Sequence, residues 1–290
     1  MSLNPKRTLM LVTPPLLWAA NAVLGRVAID SIGPLWLNAL RWMLAATILL
    51  VFGRRVLASA VTRRQIAERW GYLALLGLLG IGAYNALQYM ALRTSTPLNV
   101  TLIAASGPVW MMAVGFLAYR VVPHRGQILG AVLSLVGVAL VLSRGEPAAL
   151  AQIAFVEGDL LMLLAIVGWS FYSWMLARPP AHMQGAARPD WNWAEFLVAQ
   201  CVFGLVWATG AAVVGDMLVP EVSTQWSLKL VLLIAFIAIG PSVIAYRAWG
   251  LAVAQAGPAT AAIFANLTPL FAAVLDRKST RQNSSHLVIS

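Results

Sequence analysis

The sequence predicts an all-α integral membrane protein with a ten-helix inverted-repeat (5+5) plan from which the tenth helix is missing. Three observations carry this. Hydrophobic residues make up 60% of the 290 and charged residues 10%, too little polar surface for a soluble domain of this size to cover its core. Apolar runs of about 18 to 25 residues recur along nearly the whole chain, each able to cross about 30 Å of hydrocarbon at about 1.5 Å per residue. Two windows 161 residues apart, "ALRTSTPLNVTLIAASGPVW" at 91–110 and "AVAQAGPATAAIFANLTPLF" at 252–271, carry proline at the same seventh and eighteenth positions.

The runs define nine spans, at 9–29, 34–53, 71–92, 97–119, 126–143, 158–177, 194–215, 229–252 and 257–275. They are helices, because they are continuous, whereas a membrane barrel strand alternates. Span 1 contains Pro14 and Pro15, is too long for a cleavable leader, and is followed by further spans. The lone cysteine, Cys201, falls inside span 7, which excludes a disulfide framework or thiolate metal cluster.

A net charge of +10 would suggest nucleic acid for a soluble chain, but here its distribution between loops is what matters, and no nucleic-acid partner is expected. One side carries eleven basic residues: Lys6, Arg7, Arg54, Arg55, Arg63, Arg64, Arg69, Arg120, Arg125, Arg178 and Arg188. The other carries four, Arg26, Arg93, Arg144 and Lys229. The positive-inside rule therefore places the amino terminus in the cytoplasm.

An odd number of spans per unit turns the second copy upside down. Span 1, with "PPLLWAANAVLGRVA", matches span 6, with "LAIVGWSFYSWMLARP", and places Trp18 and Trp169 at comparable depth. The first repeat occupies 1–145 and the second 146–275. Shifting span 5 by 161 predicts a tenth span near 287–304, yet the sequence ends at Ser290. The polar tail 276–290, "DRKSTRQNSSHLVIS", reads as non-native sequence after a truncation; the alternative is a nine-helix protein with an external tail. Inverted repeats that meet near the membrane midplane are a recurring plan of secondary transporters.

Pro97 and Pro258 open their helices, where a missing N–H costs nothing. Pro108 and Pro269 lie mid-span, and each frees the carbonyl four residues back, on Ala104 and Ala265. Those oxygens are open to a ligand, a water or a hydroxyl such as Ser106 or Thr268, unless the kinks only shape packing. Intramembrane polar residues are costly unless satisfied or useful. Asn21, Asn38, Arg41, Asn85, Gln88, Asn99, Thr101, Ser106, Ser170, Tyr172, Ser173, Gln200, Ser242, Tyr246, Arg247 and Asn266 form that set, and acids are absent from it. Arg41 either holds a substrate carboxylate or phosphate, or snorkels to the outer interface or meets carbonyls. Arg247, near the inner end of span 8, snorkels.

Trp36, Trp70, Trp191, Trp193 and Trp226 read as interfacial anchors, and Trp18, Trp110, Trp169, Trp174 and Trp249 lie inside spans. Trp18 and Trp169 are candidates to wall a cavity. "GQILG" at 126–130 with Gly137 makes span 5 either a packing helix or the interface of a homodimer. No phosphate loop, metal-ligand cluster or nucleophile elbow is present in the sequence, so neither a cofactor nor an enzymatic activity is expected.

"WAANAVLGR" in span 1, "LNALRWMLAA" in span 2, "PLNVTLIAASGPVWMMAVGFL" in span 4 and "GQILGAVLSLVGVALVL" in span 5 resemble, in this order, the EamA-type members of the drug/metabolite transporter superfamily; the likeness covers residues 9–275. The resemblance implies a bacterial inner-membrane carrier, often an exporter of amino acids and related metabolites, with a cavity walled by spans 1–4 and 6–9. It carries substrate-binding roles to Trp18, Asn21, Arg41, Pro108 and Pro269. The missing span 10 departs from the pattern. The expected function is export of a small metabolite such as an amino acid or derivative by alternating access. Uptake by the same fold, or a receptor or scaffold without flux, is the alternative. The expected substrate-binding set is Trp18, Asn21, Arg41, Asn85, Gln88, Ala104, Pro108, Trp169, Tyr172, Ala265, Asn266 and Pro269.

Overall fold

The computed structural model describes residues 5–95, 97–143, 146, 155–218 and 223–275; the side chains of 6, 7, 97–99, 101, 141 and 142, and the tail 276–290, lie outside that description. All regular elements among the described residues are helices: span 1 is Pro5–Ala28, span 2 Pro34–Phe52, span 3 Trp70–Thr94, span 5 Arg125–Leu142, span 6 Glu157–Ala177, span 7 Trp193–Leu218, span 8 Leu228–Ala256 and span 9 Pro258–Leu275. Span 4 is two helices, Pro97–Ala105 and Gly107–Tyr119. Seven helices are long and apolar enough to cross a membrane, with Gly107–Tyr119 and the described part of span 5 shorter. The chain is a multi-pass membrane protein.

Local chemistry sets the helix ends. Span 7 starts behind Asn192, whose Oδ1 accepts from the backbone of Ala194 and Glu195 at 2.8 and 3.0 Å, while Glu195 accepts the Asn192 N–H at 2.8 Å. Glu195, though buried, also meets Arg55 Nε at 3.0 Å. Ser227 caps span 8 by accepting from Leu230 N at 3.2 Å. Asp159 accepts the Val156 N–H at 3.0 Å and the hydroxyl of Ser95, which ties the start of span 6 to the end of span 3.

Two features depart from continuous α-helices. Pro108 lacks an N–H and its ring crowds the carbonyl at 104, so span 4 turns at Ser106 instead of merely bending; Ser106 N bridges Leu102 O and Ile103 O at 3.2 and 3.0 Å. Span 9 turns likewise at Asn266, before Pro269. The sequence expectation of whole helices also misses a π-helical turn in span 3, Leu78–Ala83, and another in span 8, Ala238–Ile244. Their starts are 160 residues apart and their ends 161. In span 8 the cause is Pro241, which cannot donate to Ile237 O; the Ser242 hydroxyl donates there at 2.9 Å. In span 3 the carbonyls of Ile81 and Gly82 accept from Asn38 Nδ2, at 3.0 and 3.3 Å.

Span 1 packs on span 8, span 2 on span 7, span 3 on spans 6 and 7, and span 4 on spans 6 and 9. Adding five to each number, cyclically over ten, turns the 1–8 pairing into 6–3 and returns 2–7 and 4–9 to themselves. Among the described residues the helix pairing is thus unchanged by this renumbering. The main apolar cluster runs from Leu11, Trp42 and Leu49 through Trp169, Tyr172 and Trp174 to Tyr246 and Trp249. A second, Ala28, Ile32, Leu37, Tyr89, Leu230, Ile234 and Ile237, packs the ends of spans 1, 2, 3 and 8 together.

Span 5 presents Ile128, Leu129, Val132, Leu133, Val136 and Leu140 outward, a surface matched to hydrocarbon. Of its small residues, Gly130 faces Ile263 of span 9, where a Cβ would lie 3.1 Å away, and Gly137 faces open space. On the basic side the two long loops are tied together. Arg69 donates to the carbonyls of His182 and Ala187 at 3.2 and 3.0 Å, and Trp191 to Gln65 at 3.0 Å.

Candidate functional site

Arg41 has no exposed surface, so the snorkelling alternative is corrected: packing by spans 1, 3 and 8 holds the guanidinium inside the bundle. Its Nε donates to Ser242 Oγ at 3.0 Å, and its Nη1 to Asn21 Oδ1 at 3.3 Å and to Tyr89 OH at 3.2 Å. These acceptors are all neutral. Among the described residues Arg41 has no carboxylate partner. Asn21 completes the cluster by accepting from Tyr89 OH at 3.1 Å and donating to Asn85 Oδ1 at 3.5 Å. Asn21, Arg41 and Asn85 thus meet, joined by Tyr89, absent from the expected set, and by Ser242, delivered by the π-turn of span 8.

Beside this polar cluster lies an aromatic one centred on Trp169. Its ring centroid is 5.4 Å from Trp18, 5.1 Å from Tyr84, 4.9 Å from Tyr172, 5.5 Å from Tyr246 and 5.6 Å from Trp249. Tyr246 continues it to Trp42 at 4.8 Å, and the Arg41 guanidinium carbon lies 5.7 Å from the Trp42 ring, so rings and charge are contiguous. Most ring polar groups are engaged. Trp18 donates to Pro241 O at 3.4 Å, Trp249 to Ser173 at 3.1 Å, Tyr172 to Gln200 at 3.1 Å, and Tyr246 to Gly80 O. Both π-turns therefore supply carbonyls to this core. Among the described residues two buried polar atoms have no partner, Trp42 Nε1 and Asn38 Oδ1, one turn apart on span 2.

The remaining expected residues divide. Pro108 and Pro269 are buried at the two helix breaks, which face each other: Asn266 Nδ2 donates to Ala105 O and to Ser134 Oγ, both at 2.9 Å. The carbonyl engaged is one residue beyond Ala104, whose side chain packs against the apolar cluster that contains Ala91, Val100 and Ile166. Ala265 packs against the main cluster. Gln88 is half-buried on span 3 and joins none of these hydrogen bonds. Arg247 is exposed, and its guanidinium stacks over Trp193 at 5.2 Å. Asn266→Leu removes both cross-repeat bonds and leaves Ala105 O unmet; we expect a loss of about 1–2 kcal/mol, read as a lower thermal midpoint in detergent.

A cleft of about 280 Å³ opens between spans 4, 6, 8 and 9 on the side of the basic loops, lined by Met112, Val121, Gln127, Trp174, Arg178, Val253 and Pro258 among others. Val253 stands one helical turn from Trp249, so the cleft adjoins the aromatic cluster. Among the described residues no three His, Cys, Asp or Glu side chains gather as a metal site.

The sequence profile of the EamA-like transporter family matches residues 6–143, the first five spans. The first half of the chain is therefore similar to that family. Relatives extend the likeness over both halves. An uncharacterized transporter of Archaeoglobus fulgidus is 24% identical over 94% of this chain and 88% of its own length. The uncharacterized transporter YyaM of Bacillus subtilis is 21% identical over 92% and 84%. The uncharacterized inner membrane transporter YedA of Escherichia coli K12 is 22% identical over 90% and 78%. A protein of known crystal structure shares the fold of this chain with a TM-score of 0.69, at 20% identity over 94% of this chain and 88% of that one.

Proposed function

We propose that this protein is an EamA-type secondary transporter that moves a small metabolite, an amino acid or derivative being the family's example, outward across a bacterial inner membrane by alternating access. The observation that carries the reading is the meeting of both halves at one buried polar and aromatic core, where Arg41 of the first repeat bonds Ser242 of the second and Tyr246 bonds Gly80 across the repeats. Residues 1–145 and 146–275 act as the two inverted units. Their breaks at Ser106 and Asn266 are the flexible points about which spans 4 and 9 move. Trp18, Asn21, Arg41, Asn85, Trp169 and Tyr172 contact the substrate, with Ala104, Pro108, Ala265, Asn266 and Pro269 shaping its path.

The conformation described supports an inward-facing state. The cleft lies on the side of the basic loops, which the positive-inside rule assigns to the cytoplasm, and the cluster of Ile32, Leu37, Tyr89 and Leu230 closes the opposite ends. Cys201 is buried, so single cysteines introduced elsewhere report topology on a quiet background. Cysteine at Arg54 is expected to resist a membrane-impermeant thiol reagent applied to intact cells, and cysteine at Gln225 to react. Labelling of both from outside would end the inverted-repeat reading. Flux of radiolabelled metabolites in proteoliposomes tests transport itself, and a screen without flux for any solute would leave a receptor or scaffold.

A further inference from the structure

Arg41 is a full positive charge in the middle of the bundle, bonded only to neutral oxygens. The described Asp and Glu residues lie at span ends or in loops, and the two that are buried are engaged there, Asp159 by Ser95 and Glu195 by Arg55. A buried charge without a counter-ion destabilises a fold relative to an apolar residue of the same size. The guanidinium fork matches a planar carboxylate and is weakly hydrated, which makes it the donor suited to accept such a group from water. Beside it, Trp42 keeps a buried Nε1–H without an acceptor.

The surroundings also say what the rest of the ligand is. One positive charge is neutralised by one negative charge. An ammonium on the same molecule would bring a second cation into a low-dielectric space where the described residues offer no carboxylate to meet it. The rings around Trp169, at 4.9 to 5.6 Å, are uncharged and offer an ammonium no counter-ion. The same rings suit a flat apolar body that exchanges places with a ring edge.

Resting on the transporter reading, we infer that the transported molecule is an organic monoanion, a carboxylate with an aromatic or otherwise flat apolar body and no ammonium group, its carboxylate held by Arg41 and Trp42 Nε1. This narrows the metabolite class and sets zwitterionic amino acids aside.

Three probes on one carbon framework separate the classes: 3-phenylpropionate, phenylalanine and 2-phenylethylamine. Each is titrated against the full chain in lipid nanodiscs, with affinity read by calorimetry and by the shift in unfolding temperature. The acid is expected to bind at least about tenfold more tightly than phenylalanine, and the amine to give no shift. Arg41→Gln is expected to weaken the acid by at least about tenfold, and Trp42→Phe, which keeps the ring and removes the N–H, by about fivefold. Binding of phenylalanine or the amine as tight as that of the acid overturns the inference. So does acid binding unchanged in both variants, or no binding by any probe. A parallel flux assay in proteoliposomes keeps the two levels apart: flux of neutral, zwitterionic or cationic solutes without anion flux removes the anion assignment and leaves transport, whereas no flux of any class removes transport.

Discussion

Replacing Arg41 by methionine is expected to abolish transport while leaving the unfolding temperature unchanged or raised. The argument is a comparison of two magnitudes. Exchanging a buried, unpaired or poorly paired charge for an apolar side chain of similar volume is typically neutral or stabilising, by about 1–4 kcal/mol, because the desolvation penalty disappears. The hydrogen bonds lost are three, each about 1 kcal/mol net, and their acceptors are not stranded. Asn21 Oδ1 still accepts from Tyr89 OH, and Ser242 still donates to Ile237 O. On this comparison stability does not require the arginine, and the proposed role for its charge is what makes flux the property expected to fail. Flux in proteoliposomes and thermal unfolding in detergent, measured on the same preparation, decide the matter. Transport that survives the substitution would return Arg41 to a packing role, as would a melting temperature lowered in proportion to the lost activity.

The second large effect concerns the π-turn of span 3. Gly77→Val is expected to destabilise the protein by about 1–3 kcal/mol and to lower its yield in membranes, whereas Gly137→Val is expected to change stability by less than about 0.5 kcal/mol. A Cβ on Gly77 would sit 2.6 Å from Gly204 N and 2.8 Å from Gln200 O, both backbone atoms of span 7 that no rotamer change can move. Spans 3 and 7 would have to separate just where Leu78–Ala83 departs from α-helical spacing and presents Gly80 to Tyr172. Gly137 has nothing within 4 Å of its added Cβ, which makes it the matched control on another membrane helix. Equal melting temperatures for the two variants would show that the close approach of spans 3 and 7 is not limiting for stability.

Much of the architecture is legible before any coordinates. Hydropathy alone places the spans within a few residues of their helices, because the bilayer sets a minimum apolar length that no soluble core demands. Pro108 and Pro269 mark where spans 4 and 9 break, since a proline mid-helix has a local consequence independent of its neighbours. Span 8 illustrates the limit. "AIGPSVI" contains a proline that announces some disturbance, but that Ser242 then caps Ile237 O and turns its oxygen toward Arg41 depends on the packing of span 2. Span 3 has no proline at all. Its π-turn contains Gly80 and Gly82, which lie against Tyr172 and Trp207, contacts more than eighty residues away in sequence.

What the sequence by itself determined is the class of protein, the extent of each apolar span and the 161-residue offset between the two proline-bearing windows. Only the tertiary structure decided which intramembrane polar residues meet: that Arg41 is enclosed, that Tyr89 and Trp42 belong to its surroundings, and that Gln88 and Ala104 stand apart from them. The physical reason is that a membrane helix is apolar toward lipid and toward its neighbours alike. Composition therefore reports how deep a side chain lies but not which way it faces, and facing is set by the packing of one helix on another.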